Sequence, residues 1–366
     1  MSVGTVYRPE LSSGPWDAAV VGSGIGGLAA AALLAKAGKL VLVLERHYVA
    51  GGFTHTFRRP GYEWDVGVHY IGEVHRPRSV LRRVFDHVSE GRLQWARMPD
   101  VYDRVIIGDR AFDLAAPKAR FIEELARHFP AERGTIDRYV RLVLQATRAA
   151  SAFFTEKALP PRLGALARPV MARAFHRHSD RTTWEVLSGL GASRELAGVL
   201  SAQYGDYGLT PRQSSFAIQT MVAKHYFDGG NYPVGGASRI AASILPTIEK
   251  SGGAALVAAE VDEILVRSGR ASGVRLKGGD EIGAPLVISD AGVVNTFGRL
   301  LRPPPPWAEA RLRQVRPSVA HVCLYIGLEG SAAEWVSPRP TSGSTRTTTT
   351  TRTCAATWRT PPPPSR

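Results

Sequence analysis

Residues 16–56 read WDAAVVGSGIGGLAAAALLAKAGKLVLVLERHYVAGGFTHT, and this stretch decides the fold. An apolar run at 18–21 ends at Gly22, the pattern of a parallel strand buried on both faces. Gly22-Ser23-Gly24-Ile25-Gly26-Gly27 then supplies G-x-G-x-x-G at a strand-to-helix turn. Gly22 permits the tight turn, Gly24 lets the backbone approach a phosphate, and Gly27 lets helix and strand pack closely. Residues 26–37 are nearly all Ala and Leu, which predicts a helix that can lie flat on a sheet. Its first N–H groups, with roughly half a positive charge, point at the turn. Gly38 ends that helix, and 40–44 reads as a second buried strand closed by Glu45. Glu45 stands 21 residues after Gly24, where a carboxylate can accept hydrogen bonds from ribose hydroxyls. Glycine-rich turns are common, but here strand, helix and acid hold the spacing that a bound dinucleotide requires.

The totals bound what surrounds this unit. At 366 residues the chain can build two domains with real cores. Its net charge is +14, and five arginines (339, 346, 352, 359 and 366) lie beyond the last acidic residue, Glu334. Setting those five aside lowers +14 to +9, so the body is still basic and suits an anionic cofactor or an anionic membrane surface. Nucleic acid is disfavoured, because no dense Lys/Arg run is interleaved with aromatics. Two cysteines, Cys323 and Cys354, provide neither a disulfide framework nor a metal set, which points to a reducing, cytoplasmic compartment. The N-terminal fourteen residues lack the apolar core of a signal peptide. The stretch 18–44 is apolar enough to suggest a membrane span, but its glycines with Lys36 and Lys39 favour a buried strand-helix-strand.

Further along, 57–65 predicts a hairpin turning at Pro60-Gly61, followed by Val66-Gly67-Val68-His69-Tyr70-Ile71-Gly72. There the His69-Tyr70 pair either lines a pocket or sits in an ordinary buried strand. Residues 105–107 and 111–114 read as two strands, and helical periods follow at Phe121, Leu125 and Phe129, then at Ile136, Tyr139 and Val143. The segment 160–181 sets Leu163, Leu166 and Val170 against Arg162, Arg168, Arg173 and Arg177. Such a pattern can lie on a membrane surface, although Pro169 predicts a break into two short solvated pieces. His176 and His178 have no companion at metal-ligand spacing. Asn231-Tyr232-Pro233-Val234-Gly235-Gly236 is a second double-glycine turn, opening either an ordinary helix or one that faces a phosphate. A strand series follows at 255–257, 261–266, 273–276 and 286–289, and 319–327 predicts another strong strand.

Arg46-His47-Tyr48-Val49-Ala50-Gly51-Gly52-Phe53-Thr54 resembles the extension found in phytoene desaturase and amine oxidase flavoproteins, where the glycine pair passes close to the flavin. Nicotinamide enzymes do not need that second turn, so the resemblance implies FAD. With 20–28, 65–72, 203–211, 232–236 and 261–290, the chain resembles the retinol saturase branch of the phytoene desaturase and carotenoid isomerase family. The resemblance runs from about residue 16 to residue 329 and implies an α/β fold. In it, a Rossmann-type, amine-oxidase-like FAD-binding domain (15–67 and 230–298) carries an inserted α+β substrate domain (68–229 and 299–335). It implies cofactor contacts at Gly22, Ser23, Gly24, Ile25, Gly26, Gly27, Glu45, Arg46, Gly51, Gly52, Phe53 and Thr54, with Val261 on the adenine side. His69 and Tyr70 are catalytic candidates by position alone. The implied chemistry is hydride transfer at a carbon–carbon double bond of a retinol- or carotenoid-like polyene. An amine-oxidase-like enzyme and a non-catalytic flavoprotein are the alternatives. Family members continue well beyond Trp335, so truncation at the C-terminus is expected. Residues 341–353 contain eight threonines and 361–364 are prolines, which predicts a disordered, non-native tail over 336–366.

Overall fold

The computed structural model describes residues 3–67, 70–316, 318 and 322–329. A five-stranded sheet organises the first part of the molecule. Its strands are β1 (Thr5–Val6), β2 (Ala18–Val21), β3 (Val41–Leu44), β4 (Ala254–Val257) and β5 (Leu286–Ser289), in the order β1-β4-β3-β2-β5. Each neighbouring pair is parallel. Helix α1 (Ile25–Lys36) crosses from β2 to β3. This is the strand-helix-strand expected from 16–56, displaced by one residue at the helix ends.

Side-chain alternation along β2 and β3 divides the core into two layers. Ala18, Val20, Val41 and Val43 face one side, where they pack with Leu28, Ala31 and Ala32 of α1 and with Ile240, Ala241 and Ile244 of helix α2 (Arg239–Glu249). Ala19, Val21, Leu42 and Leu44 face the other, against Ile264, Val274, Leu276 and Ile282. Those four belong to an antiparallel three-stranded sheet of Val261–Arg267, Arg270–Leu276 and Glu281–Gly283. The small residues of α1 matter here, because Gly27, Leu28, Ala31, Ala32 and Ala35 are the face it buries.

The chain divides into two compact units. The first comprises 3–97, 231–316 and 325–327 within the described residues, and the second comprises 98–230 with 318, 322–324 and 328–329. The first unit therefore includes 70–97 and 299–316, which the division drawn from the sequence placed with the substrate domain. The second unit is α+β, with a hairpin (Val101–Ile107 and Arg110–Ala115) and helices at Lys118–His128, Arg133–Ala158, Pro161–Ser179, Thr183–Gly189, Arg194–Leu200 and Phe216–Tyr226. Its centre is polar as well as apolar. Gln219 donates to the Leu200 carbonyl at 2.8 Å and to the Tyr139 hydroxyl at 3.2 Å, and accepts from the Tyr207 hydroxyl at 2.6 Å.

Two expectations are corrected. Pro169 does not break the basic segment: Pro161–Ser179 is one helix with Pro169 inside it. The missing N–H and the ring clash cost about 3 kcal/mol, and packing on the preceding helix offsets them. Phe175 stacks on Phe153 with ring centroids 4.4 Å apart, and Gly164 lies against the Glu156 backbone. The strand expected at 319–327 is also absent where the chain is described: 322–329 forms no strand, and Val322 and Leu324 are exposed. Residues 319–321 and the tail at 336–366 lie outside the described residues. No helix among the described residues is long and apolar enough to cross a membrane.

Candidate functional site

The glycine turn sits where β2 hands over to α1, at the carboxyl ends of three adjacent strands. Gly22 adopts φ +98° and donates its N–H to the Leu44 carbonyl at 2.8 Å. Gly24 caps α1 with no side-chain hydrogen bond, so the first amides of the helix have no capping side chain. A Cβ on Gly27 would overlap the Gly22 carbonyl oxygen, which accounts for the third glycine of the pattern.

Ser23 is the pivot of the site. It is fully buried, and its N–H and hydroxyl both donate to Glu45 Oε2, at 2.8 and 2.7 Å. The Gly51 N–H in turn donates to Ser23, to the carbonyl and to Oγ, at 3.1 Å each. Glu45 Oε1 accepts from the His47 N–H at 2.8 Å. One carboxylate therefore joins the first glycine turn to the end of β3. Oε2 already receives two donors, whereas Oε1 receives one and keeps room for another.

The second glycine pair closes on the first. Gly51 and Gly52 adopt φ +124° and +55°, a region costly for residues with a Cβ. A Cβ on Gly52 would stand 2.9 Å from Gly24 Cα, so the two turns touch backbone to backbone. Gly52–Thr54 then forms a single 3₁₀ turn, with the Thr54 hydroxyl donating to the Gly51 carbonyl at 2.7 Å. Phe53 is 79% exposed, and Gly67 packs directly against it. Arg46 and Ile25 are exposed beside the turns.

Val261 lies apart from these turns, at the start of the three-stranded sheet and paired with Leu276. The chain leading to it does reach the Glu45 side. The Ala258 and Ala259 N–H groups donate to the His47 and Glu45 carbonyls, each at 2.8 Å. Tyr70 is half-buried just before the short strand Ile71–Gly72, and His69 lies outside the described residues.

Two features had no assigned role in the sequence. Asp65 accepts from the Tyr232 hydroxyl and, at 3.2 Å, from the Ala237 N–H. It thereby ties the first hairpin (Thr56–Arg59 with Tyr62–Asp65) to the second double-glycine turn. Gly235 and Gly236 there have φ +89° and +93°. The other is Asp290, which follows β5 as Glu45 follows β3, a repeat of strand-then-acid that the sequence did carry. A separate apolar cavity of about 630 Å³, lined by Ile264, Val287, Val293, Phe297 and Trp307 among others, shares no residue with the glycine turns.

Comparison with known proteins agrees with this geometry. Residues 20–88 match the family model described as an NAD(P)-binding Rossmann-like domain. The chain is 41% identical over 335 residues to an all-trans-retinol 13,14-reductase of Danio rerio, a match covering 87% of this chain and 55% of that protein. It is 29% identical to a neurosporene-forming phytoene desaturase of Cereibacter sphaeroides, with 87% and 61% covered. Among solved structures it resembles cyclohexylamine oxidase from Brevibacterium oxydans, with a TM-score of 0.53, 21% identity, and 82% and 63% of the two chains covered. That likeness concerns the fold. The chain spans about half the length of the curated relatives it matches.

Proposed function

We propose, from the premise that this chain belongs to the retinol saturase-like branch of the phytoene desaturase and carotenoid isomerase family, that it binds FAD and acts on a conjugated polyene by hydride transfer at a carbon–carbon double bond. The observation that carries the cofactor reading is the contact of Gly52 with Gly24. A dinucleotide fold needs only the first glycine turn. A second one, held against the first through Gly51 and Ser23, extends the backbone floor along the cofactor and suits the longer flavin dinucleotide.

The residues present fit that group. The uncapped first turn of α1, with Gly24 and Gly26, would receive the diphosphate on backbone N–H groups. Glu45 Oε1 would accept from a ribose hydroxyl, with Oε2 held by Ser23 so that the carboxylate is pre-oriented. The Ala258–Ala259 link to β3 would close the adenine side next to Val261. When bound, the flavin supplies two-electron hydride exchange with a carbon of the polyene. The protein's part is to fix the dinucleotide in one register and to exclude water. Tyr70 stands near the glycine floor in sequence, and together with His69 is proposed as the candidate for proton handling. Releasing the cofactor by heat and identifying it tests the first step: FAD is expected, and NAD or FMN would overturn it. Anaerobic mixing of the reduced protein with all-trans-retinol or a carotenoid tests the second.

The substrate class also bears on where the protein works. Polyenes partition into bilayers, and the helix Pro161–Ser179 exposes Leu163, Leu166 and Val170 at 55, 79 and 75%. Arg162, Arg173 and Arg177 are exposed on the same helix, and no Asp or Glu occurs between Lys157 and Ser179. We infer that this helix lies on an anionic membrane surface.

A further inference from the structure

Three parallel strands end side by side around the glycine turn. β3 is followed by Glu45, β2 by Gly22 and β5 by Asp290, with β2 in the middle. The place of Asp290 is fixed by the sheet, because its N–H donates to the Val21 carbonyl at 2.8 Å. Its carboxylate then leans over the turn. A Cβ on Gly26 would stand 2.9 Å from Oδ1, one on Gly27 would stand 3.1 Å from Oδ2, and one on Gly24 would overlap Oδ2. The side chain is exposed.

The order of the strands gives the direction in which a dinucleotide runs. With one ribose at Glu45 and the diphosphate at the end of β2, the second half of the molecule continues past the end of β5. We propose that Asp290 accepts hydrogen bonds from hydroxyl groups in that second half, which on the flavin reading above, on which this rests, are those of the ribityl chain. A carboxylate beside a diphosphate suffers charge repulsion unless it gains from donors. A polyol is the part of the ligand that offers them. The site thus has two acids, one for each sugar-like half, on either side of a neutral glycine turn.

Truncating the ligand tests this in the full chain. ADP carries the first ribose and the diphosphate but nothing beyond, so it reaches Glu45 and the turn only. Dissociation constants for FAD, NAD and ADP are measured by calorimetry on the cofactor-stripped protein and on Asp290→Ala and Asp290→Asn. The expected result is that Asp290→Ala weakens FAD about tenfold and leaves ADP within about twofold. Asp290→Asn, whose amide oxygen still accepts, should lose about threefold or less. Equal weakening of FAD and ADP would assign Asp290 to the turn's structure and overturn the proposal. Unchanged or tighter FAD binding would overturn it too, tighter binding being the mark of a carboxylate that merely repels the diphosphate. If the wild type takes NAD instead of FAD, the flavin reading fails by itself. The NAD-against-ADP comparison then decides the role of Asp290, since the second ribose of NAD offers the same hydroxyls. Binding of ADP alone would overturn both.

Discussion

The Tyr232 hydroxyl donates to the Asp65 carboxylate across 167 residues of sequence, and the same carboxylate accepts the Ala237 N–H at the entry to α2. Asp65 thus connects the end of the first hairpin, and through it the 51–54 turn, to the second double-glycine turn. Removing its charge from a site with two donors should cost more than removing one donor. Tyr232→Phe is expected to lower stability by about 1–2 kcal/mol, and Asp65→Ala by about 2–3 kcal/mol, because it strands both donors. Chemical denaturation of the two variants checks the order, and a larger loss for Tyr232→Phe would refute the shared-acceptor account.

Glu45 makes a similar junction at the candidate cofactor site. Glu45→Ala removes the acceptor for the Ser23 N–H and hydroxyl as well as for the His47 N–H. Affinity for FAD should fall by about 1.5–3 kcal/mol, one to two orders of magnitude. Glu45→Gln should not restore it fully, because an amide presents a donor where the protein already aims donors at both ends. Titration of FAD into the three apo proteins is the measurement, and equal constants would remove Glu45 from the site.

Gly52→Ala should be more damaging than its size suggests. The residue has φ +55°, and the added methyl would meet Gly24 Cα at 2.9 Å, a backbone atom that cannot rotate away. The left-handed conformation alone costs about 1–2 kcal/mol, and the turn must also lift off the first glycine loop. Flavin per protein after purification should drop severalfold while the far-ultraviolet circular dichroism is retained. Full occupancy would show that the contact is not needed.

Burial, reinforced by the neighbouring Lys224, pushes His225 down from its ordinary value to about 4. Its folded pKa lies below its unfolded one, so the neutral form is the one the fold favours. The stability it contributes is present above about pH 6.5 and is lost as pH falls from there towards 4. Denaturation midpoints measured between pH 7 and 4 should decline through that window, and His225→Gln should flatten the decline. An unaltered slope in the variant would assign the loss to other groups.

On the membrane inference, Leu166→Glu places an acid at the most exposed apolar position of the Pro161–Ser179 helix without touching the core. Co-sedimentation with phosphatidylserine-containing vesicles should fall severalfold, and wild-type protein should ignore pure phosphatidylcholine at moderate salt. Binding indifferent to both the charge and the lipid would count against this helix as the contact.

Much of the nucleotide-binding unit is legible in the sequence, because its signals are local. A four-residue apolar strand, a glycine turn and an Ala/Leu helix each follow from sterics and propensity within a few residues, and Ala18–Val21, Ile25–Lys36 and Val41–Leu44 appear where those signals lie. The glycine positions could be read for the same reason, as a missing Cβ shows directly in the sequence. What only the tertiary structure decided are the relations between segments. Ser23 occupies a position the pattern leaves open, yet its hydroxyl holds Glu45 and Gly51 together. Asp290 is remote from the turn in sequence and meets it because β5 pairs with β2. Pro169 predicts a break, which packing against Phe153 overrides. The apolar residues near 322 predict a strand, which needs a hydrogen-bonding partner to form, and sequence periodicity cannot report whether one is present. Local sterics therefore determined the cradle, and the pairing of distant strands determined which acids face it.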